Sequence, residues 1–93
     1  MVERVEPSQW RAEVCQNVSR IFRREREARG LSLNAMGKKA GLSYQMISYV
    51  ESGERMPTID TLLRMAIALE VNLWEVLREA EVVDGSEAEQ VTQ

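Results

Sequence analysis

The side chains of this chain that could act on a ligand are polar or cationic, and almost none is a nucleophile. Among 93 residues there is no histidine and one cysteine, Cys15, which removes Ser–His and Cys–His pairs and any histidine-rich zinc site. No G-x-x-x-x-G-K phosphate loop is present. An enzyme would have to work with carboxylates and lysines in whatever pocket so small a core can wall off. The chain is therefore read as a non-enzyme, with no metal and no cofactor. Its remaining chemistry is hydrogen bonding and charge attraction, gathered in a short central stretch. Ser32 and Ser43 each precede a short helix, and Tyr44, Gln45, Ser48 and Tyr49 follow at helical spacing. Basic residues surround them.

The net charge of −3 hides a strong asymmetry. Residues 1–19 sum to −1, residues 20–55 to +4 with eight basic side chains, and residues 56–93 to −6. What a polyanion meets is the local field, not the total. On charge alone, Arg20, Arg23, Arg24, Arg26 and Arg29 fit a solvated helix face as well as a ligand-binding one.

The elements that must position these groups are all helical. Pro7-Ser8 starts the first helix, with Ser8 as its expected cap. Trp10, Val14, Val18, Ile21 and Phe22 then recur three and four apart. That helix should reach about Arg29 and stop at Gly30, a length of roughly 33 Å, with a break near Gln16–Asn17 left open. Ser32 caps a second helix over Leu33–Ala40. Gly41 ends it, and Ser43 caps a third, Tyr44–Ser52, whose apolar side is Met46, Ile47 and Val50. A fourth helix opens at Thr58 or Asp60 and runs through Leu69. The pattern Asn72-Leu73-Trp74-Glu75 reads as a capping box and starts a fifth helix to about Glu81. Residues 1–7 are expected to be a flexible N-terminus, residues 8–81 the folded domain, and residues 82–93 an acidic, disordered tail. There is one domain, no strand pattern and no apolar run long enough to span a membrane. A lone cysteine and the absence of a secretory signal fit the cytoplasm.

Two helices of about eight residues joined by a glycine-containing turn have the geometry of a helix-turn-helix. The segments Arg29–Ser32, Met36–Ser43, Ile47–Pro57 and Thr61–Leu69 resemble the Cro and phage-repressor (XRE-type) regulators in order and spacing, over about residues 18–78. The resemblance implies an all-α, five-helix, lambda-repressor-like DNA-binding domain, here with an extended first helix. It also implies operator binding to double-stranded DNA, usually as a homodimer with one recognition helix per half-site.

Within that frame Tyr44, Gln45, Ser48 and Tyr49 are the expected base-contacting residues. The amide of Gln45 can bond adenine N6 and N7 together. Ser32, Asn34, Lys38, Lys39, Ser43 and Arg55 are the expected backbone contacts. Lys38 and Lys39 occupy successive helical positions, so one of them is expected to be merely solvated. Arg26 and Glu51 match the family's buried salt bridge. Two departures stand out. Leu33 takes the position where the family often carries a DNA-touching glutamine, and Gly37 one where alanine is typical.

Trp10 and Trp74 lie outside the motif. They are expected to meet within one chain or across a dimer. The function expected is a transcriptional regulator, a repressor more than an activator. The alternative is an antitoxin or other interaction module that binds a protein partner through its acidic C-terminal region.

Overall fold

The computed structural model describes residues 6–89, with side chains described through Glu81. The described residues form five helices: α1 (Pro7–Ala28), α2 (Leu33–Ala40), α3 (Tyr44–Ser52), α4 (Ile59–Leu69) and α5 (Leu73–Glu89). The all-α, five-helix expectation holds, and α1 is the long helix expected. It is continuous through Gln16–Asn17.

The start of α1 differs from the expected Ser8 cap. Pro7 takes the first helical position, and Glu6 is the cap, its carboxylate accepting from the Gln9 N–H at 3.1 Å. Proline has no N–H to satisfy and its fixed φ suits a first turn, so the cap must precede it. The Ser8 hydroxyl donates to the same carboxylate. At the other end Arg29 is the C-cap, and Gly30 follows at φ 67°.

The largest fully buried side chains include Phe22 from α1, Met36 from α2, Ile47 and Val50 from α3, and Met65 and Leu69 from α4. Val18, Ile21, Leu62, Val76 and Ala80 belong to the same cluster, so α5 closes it against α1. Asn17 is, with Ser19, one of two polar residues buried on α1 among the described residues. Its amide donates to the Ala80 carbonyl at 2.8 Å, tying α1 to α5 and satisfying a group that would be costly to bury unpaired.

Three serine or threonine caps work as read: Ser32, Ser43 and Thr58 each accept from the N–H three residues on. At α5 the first N–H groups, of Glu75 and Val76, go to the main-chain carbonyl of Asn72. The capping-box exchange between the Asn72 and Glu75 side chains is not among the hydrogen bonds of the described residues.

α5 runs to Glu89, beyond the end expected near Glu81. The segment holds no proline, and Gly85 costs only about 1 kcal/mol of propensity. Extending a helix already nucleated is far easier than starting one. Residues 1–5 and 90–93, the rest of the two expected termini, lie outside the described residues.

Candidate nucleic-acid interface

The α2–α3 unit is held by its backbone as much as by its side chains. Gly41 sits at φ 71°, the left-handed conformation that lets α2 end and the chain turn. The Leu42 N–H returns to the Gly37 carbonyl at 2.9 Å. A Cβ on Gly37 would lie 2.5 Å from the Leu42 carbonyl oxygen, closer than real contacts allow. Gly37 is thus required here by the approach of the turn, which explains the departure from alanine.

Ser32 and Ser43 bond the third N–H of their helices, each at 3.0 Å. The earlier N–H groups at both helix starts have no intrahelical partner. They carry the positive end of the helix dipole, an arrangement suited to phosphate.

Along α3 the two sides separate cleanly. Ile47 and Val50 are fully buried and Glu51 is buried beside them. Tyr44 and Gln45 are exposed, while Ser48 and Tyr49 are half-buried. Gln45 Nε2 donates to the Tyr49 hydroxyl at 2.9 Å, and the Arg55 guanidinium lies 4.6 Å from the centre of the Tyr49 ring. Sequence spacing could have suggested the first contact, since residues four apart share a helix face. The second crosses the turn at Gly53 and has no local signal.

Asn34, Lys38 and Lys39 are all exposed on α2; exposure alone does not separate the two lysines. Leu33 is half-buried and packs against the core. Its side chain belongs to the domain, not to the polar surface.

Arg26 and Glu51 form a two-pronged pair, Nε to Oε2 at 2.7 Å and Nη2 to Oε1 at 3.0 Å. Arg26 Nη1 also donates to the Leu31 carbonyl at 2.7 Å. Both side chains are largely covered, at 12% and 5% exposure. The pair fixes α3 to α1 and to the loop before α2, and it holds the Arg26 guanidinium above its usual pKa.

Two other arginines of α1 and its C-cap Arg29 are also engaged in ion pairs. Arg23 pairs with Glu27, Arg24 with Glu25 and Glu79, and Arg29 with Glu25. Lys38, Lys39 and Arg55 form no ion pair among the described residues. Arg11 and Arg20 on α1 likewise form no ion pair among the described residues, and Arg20 bonds the neutral Asn17 side chain instead. Pairing of Arg23 with Glu27 and of Glu25 with Arg29 was readable from spacing; the Arg24–Glu79 contact was not.

Trp74 is 61% exposed and Trp10 half-buried. Trp74 thus keeps most of its surface in solvent. Ile59, Leu63 and Ile67, four apart on α4, are exposed as well, at 60%, 43% and 73%.

The profile of a family described as helix-turn-helix matches residues 22–73. Two curated relatives, each named an uncharacterized HTH-type transcriptional regulator and coming from two strains of Mycobacterium tuberculosis, are 32% identical to this chain over 71 residues. The alignment covers 76% of this chain and 51% of each relative, so the chain spans about half the length of the curated relatives it matches. No solved structure gives a significant match. No helix of the described residues is long and apolar enough to cross a membrane.

Proposed function

The chain belongs to the helix-turn-helix family, and from that premise we propose that it is a sequence-specific DNA-binding transcriptional regulator that places α3 in the major groove of its operator. The observation that carries this reading is the division of α3. One side is locked to the domain through Ile47, Val50 and the Glu51–Arg26 pair, and the other presents Tyr44 and Gln45 to solvent. A helix of this kind, entered from an exposed N-terminus, is what a major groove admits. Ser32 and Ser43 with their helix-start N–H groups, together with Asn34, Lys38, Lys39 and Arg55, are proposed to grip the phosphates. Repression follows in the simplest way, by occupancy of DNA that other proteins need.

The dimer is the finer part of the proposal. Trp74 is its proposed contact, a large aromatic side chain left in solvent on α5. Trp74→Arg should give a monomer with weakened operator binding. A monodisperse dimer of unchanged DNA affinity would rule that surface out.

Selection of sites from random duplexes tests the reading as a whole. The expected result is a two-fold motif with half-sites about one helical turn, roughly 34 Å, apart, relaxed at one base pair per half-site by Gln45→Ala. Binding without sequence preference at physiological salt would refute it.

A further inference from the structure

We propose that Tyr49 acts on specificity as a positioning residue: its hydroxyl, on a ring held by Arg55, sets the orientation in which the Gln45 amide meets a base. This rests on the reading of α3 as the recognition helix and deepens it.

The argument begins with a glutamine on an exposed helix face. Left alone, such a side chain samples several rotamers, and its amide presents donor and acceptor in many directions. A base edge rewards only one of them. Here residue 49 lies one helical turn beyond residue 45, and side chains on a helix lean toward its N-terminus. The Tyr49 ring thus reaches back toward Gln45, and the Gln45 Nε2 donates to its hydroxyl at 2.9 Å. One amide N–H is consumed. The other N–H and Oε1 remain, a donor beside an acceptor, which is the pair that adenine N7 and N6 take.

The ring needs its own restraint to do this. Tyr49 is half-buried, and the Arg55 guanidinium covers a face of its ring, 4.6 Å from the centre. A cation in that position is attracted to the ring. Arg55 comes from the loop beyond Gly53, so the restraint spans the end of the recognition helix. Ion pairing does not compete for Arg55 among the described residues. In this arrangement Tyr49 contributes to base discrimination through Gln45.

The test is a double-mutant cycle read as base preference. Full-length protein is assayed on its selected duplex and on duplexes changed only at the base pair that Gln45→Ala relaxes. Tyr49→Phe keeps the ring under Arg55 and removes only the hydroxyl. It should reduce the preference at that one base pair by about threefold to tenfold, the range of a single hydrogen bond's net worth. Preferences at other base pairs should hold, and the melting temperature should move little. In the Gln45→Ala background the same substitution should change that preference no further. If Tyr49→Phe leaves the preference intact while Gln45→Ala abolishes it, or if the two effects simply add, the positioning role is wrong and the DNA reading stands. If the wild-type protein selects no motif at all, the DNA reading fails and takes this inference with it.

Discussion

Along α1, Arg23, Arg24, Arg26 and Arg29 each face a carboxylate of the same chain, whereas Lys38 and Lys39 on α2 and Arg55 after α3 face none among the described residues. The two regions look alike as a run of basic residues. They differ in what surrounds each cation in space. Glu25 and Glu27 on α1, Glu51 from α3 and Glu79 from α5 all converge on the first helix, and its positive charge is used to hold the domain together. The α2–α3 unit carries its cations in the last turn of α2 and in the loop after α3. A charge count along the chain treats residues 20–55 as one basic stretch; in the fold Arg23, Arg24, Arg26 and Arg29 are paired, whereas Arg20, Lys38, Lys39 and Arg55 form no ion pair among the described residues.

The sharpest way to break this contrast is at its most buried member. Replacing Glu51 by alanine strands the Arg26 guanidinium, which is 12% exposed and bonded otherwise only to the Leu31 carbonyl and, at 3.9 Å, to Glu27. Removing one partner of a buried pair costs about 3–5 kcal/mol, a large share of a small domain's stability. Denaturant unfolding of Glu51→Ala should show a loss of that size. A loss below about 1 kcal/mol, the worth of a surface pair, would place Arg26–Glu51 in the same class as Arg24–Glu79.

Gly37→Ala probes the other region through its backbone. Helix propensity alone favours the substitution by about 1 kcal/mol. The added Cβ would stand 2.5 Å from the Leu42 carbonyl, and overpacking of this sort costs about 1–3 kcal/mol. The expected result is a net loss of up to about 2 kcal/mol, with weaker DNA binding as the angle between α2 and α3 opens. A more stable variant would show that the turn is looser than its geometry indicates.

These two residues also mark what could be read before the fold was seen. Helix starts at Ser32, Ser43 and Thr58 were legible because a cap is a local event, a hydroxyl meeting an N–H three residues on. The Arg26–Glu51 pair was reachable only by resemblance, since nothing local links positions so far apart. Gly37 was legible as an anomaly, but its reason lies in the return of the chain at Leu42. Leu33 looked like a missing contact and is a half-buried side chain packed against the core. The end of α5 was misplaced because acidic composition says little about whether an existing helix propagates. Along α3 the exposed face could be read from periodicity, whereas the Arg55–Tyr49 contact requires the loop to fold back.

Salt dependence sharpens the comparison on the DNA side. Each phosphate contact contributes roughly 0.9 to the slope of log affinity against log salt. In a dimer, Lys39→Gln should therefore reduce the magnitude of that slope by about 2 if the side chain touches phosphate. Arg23→Gln, which removes a cation already paired with Glu27 at 3.1 Å, should leave the slope nearly unchanged. Equal effects from both substitutions would mean that the α1 pairs open in the complex and that the two regions act as one surface.

The smallest expected effect concerns the exposed pairs of α1 as acid titrates them. The hydrogen bond from Arg24 holds the Glu79 carboxyl below its ordinary 4.5, and Glu25 is held low first by Arg29 and then by Arg24. A carboxylate depressed in the folded state stabilises the fold above its unfolded pKa, and that contribution disappears as pH falls through the lower folded value. Stability should therefore decline below about pH 4.5 as these pairs protonate. Arg24 and Glu79 are 53% and 38% exposed, so solvent screening limits the pair to at most about 1 kcal/mol. Arg24→Gln separates the two carboxyls. Glu79 loses its main partner and should titrate in the ordinary range, while Glu25 keeps Arg29 at 2.6 Å and should stay low. Carboxyl NMR titration resolves both groups in one experiment. If Glu79 already titrates normally in the wild-type protein, the Arg24 charge is not committed to α5. That cation would then count with Lys38 and Lys39 as charge available to DNA.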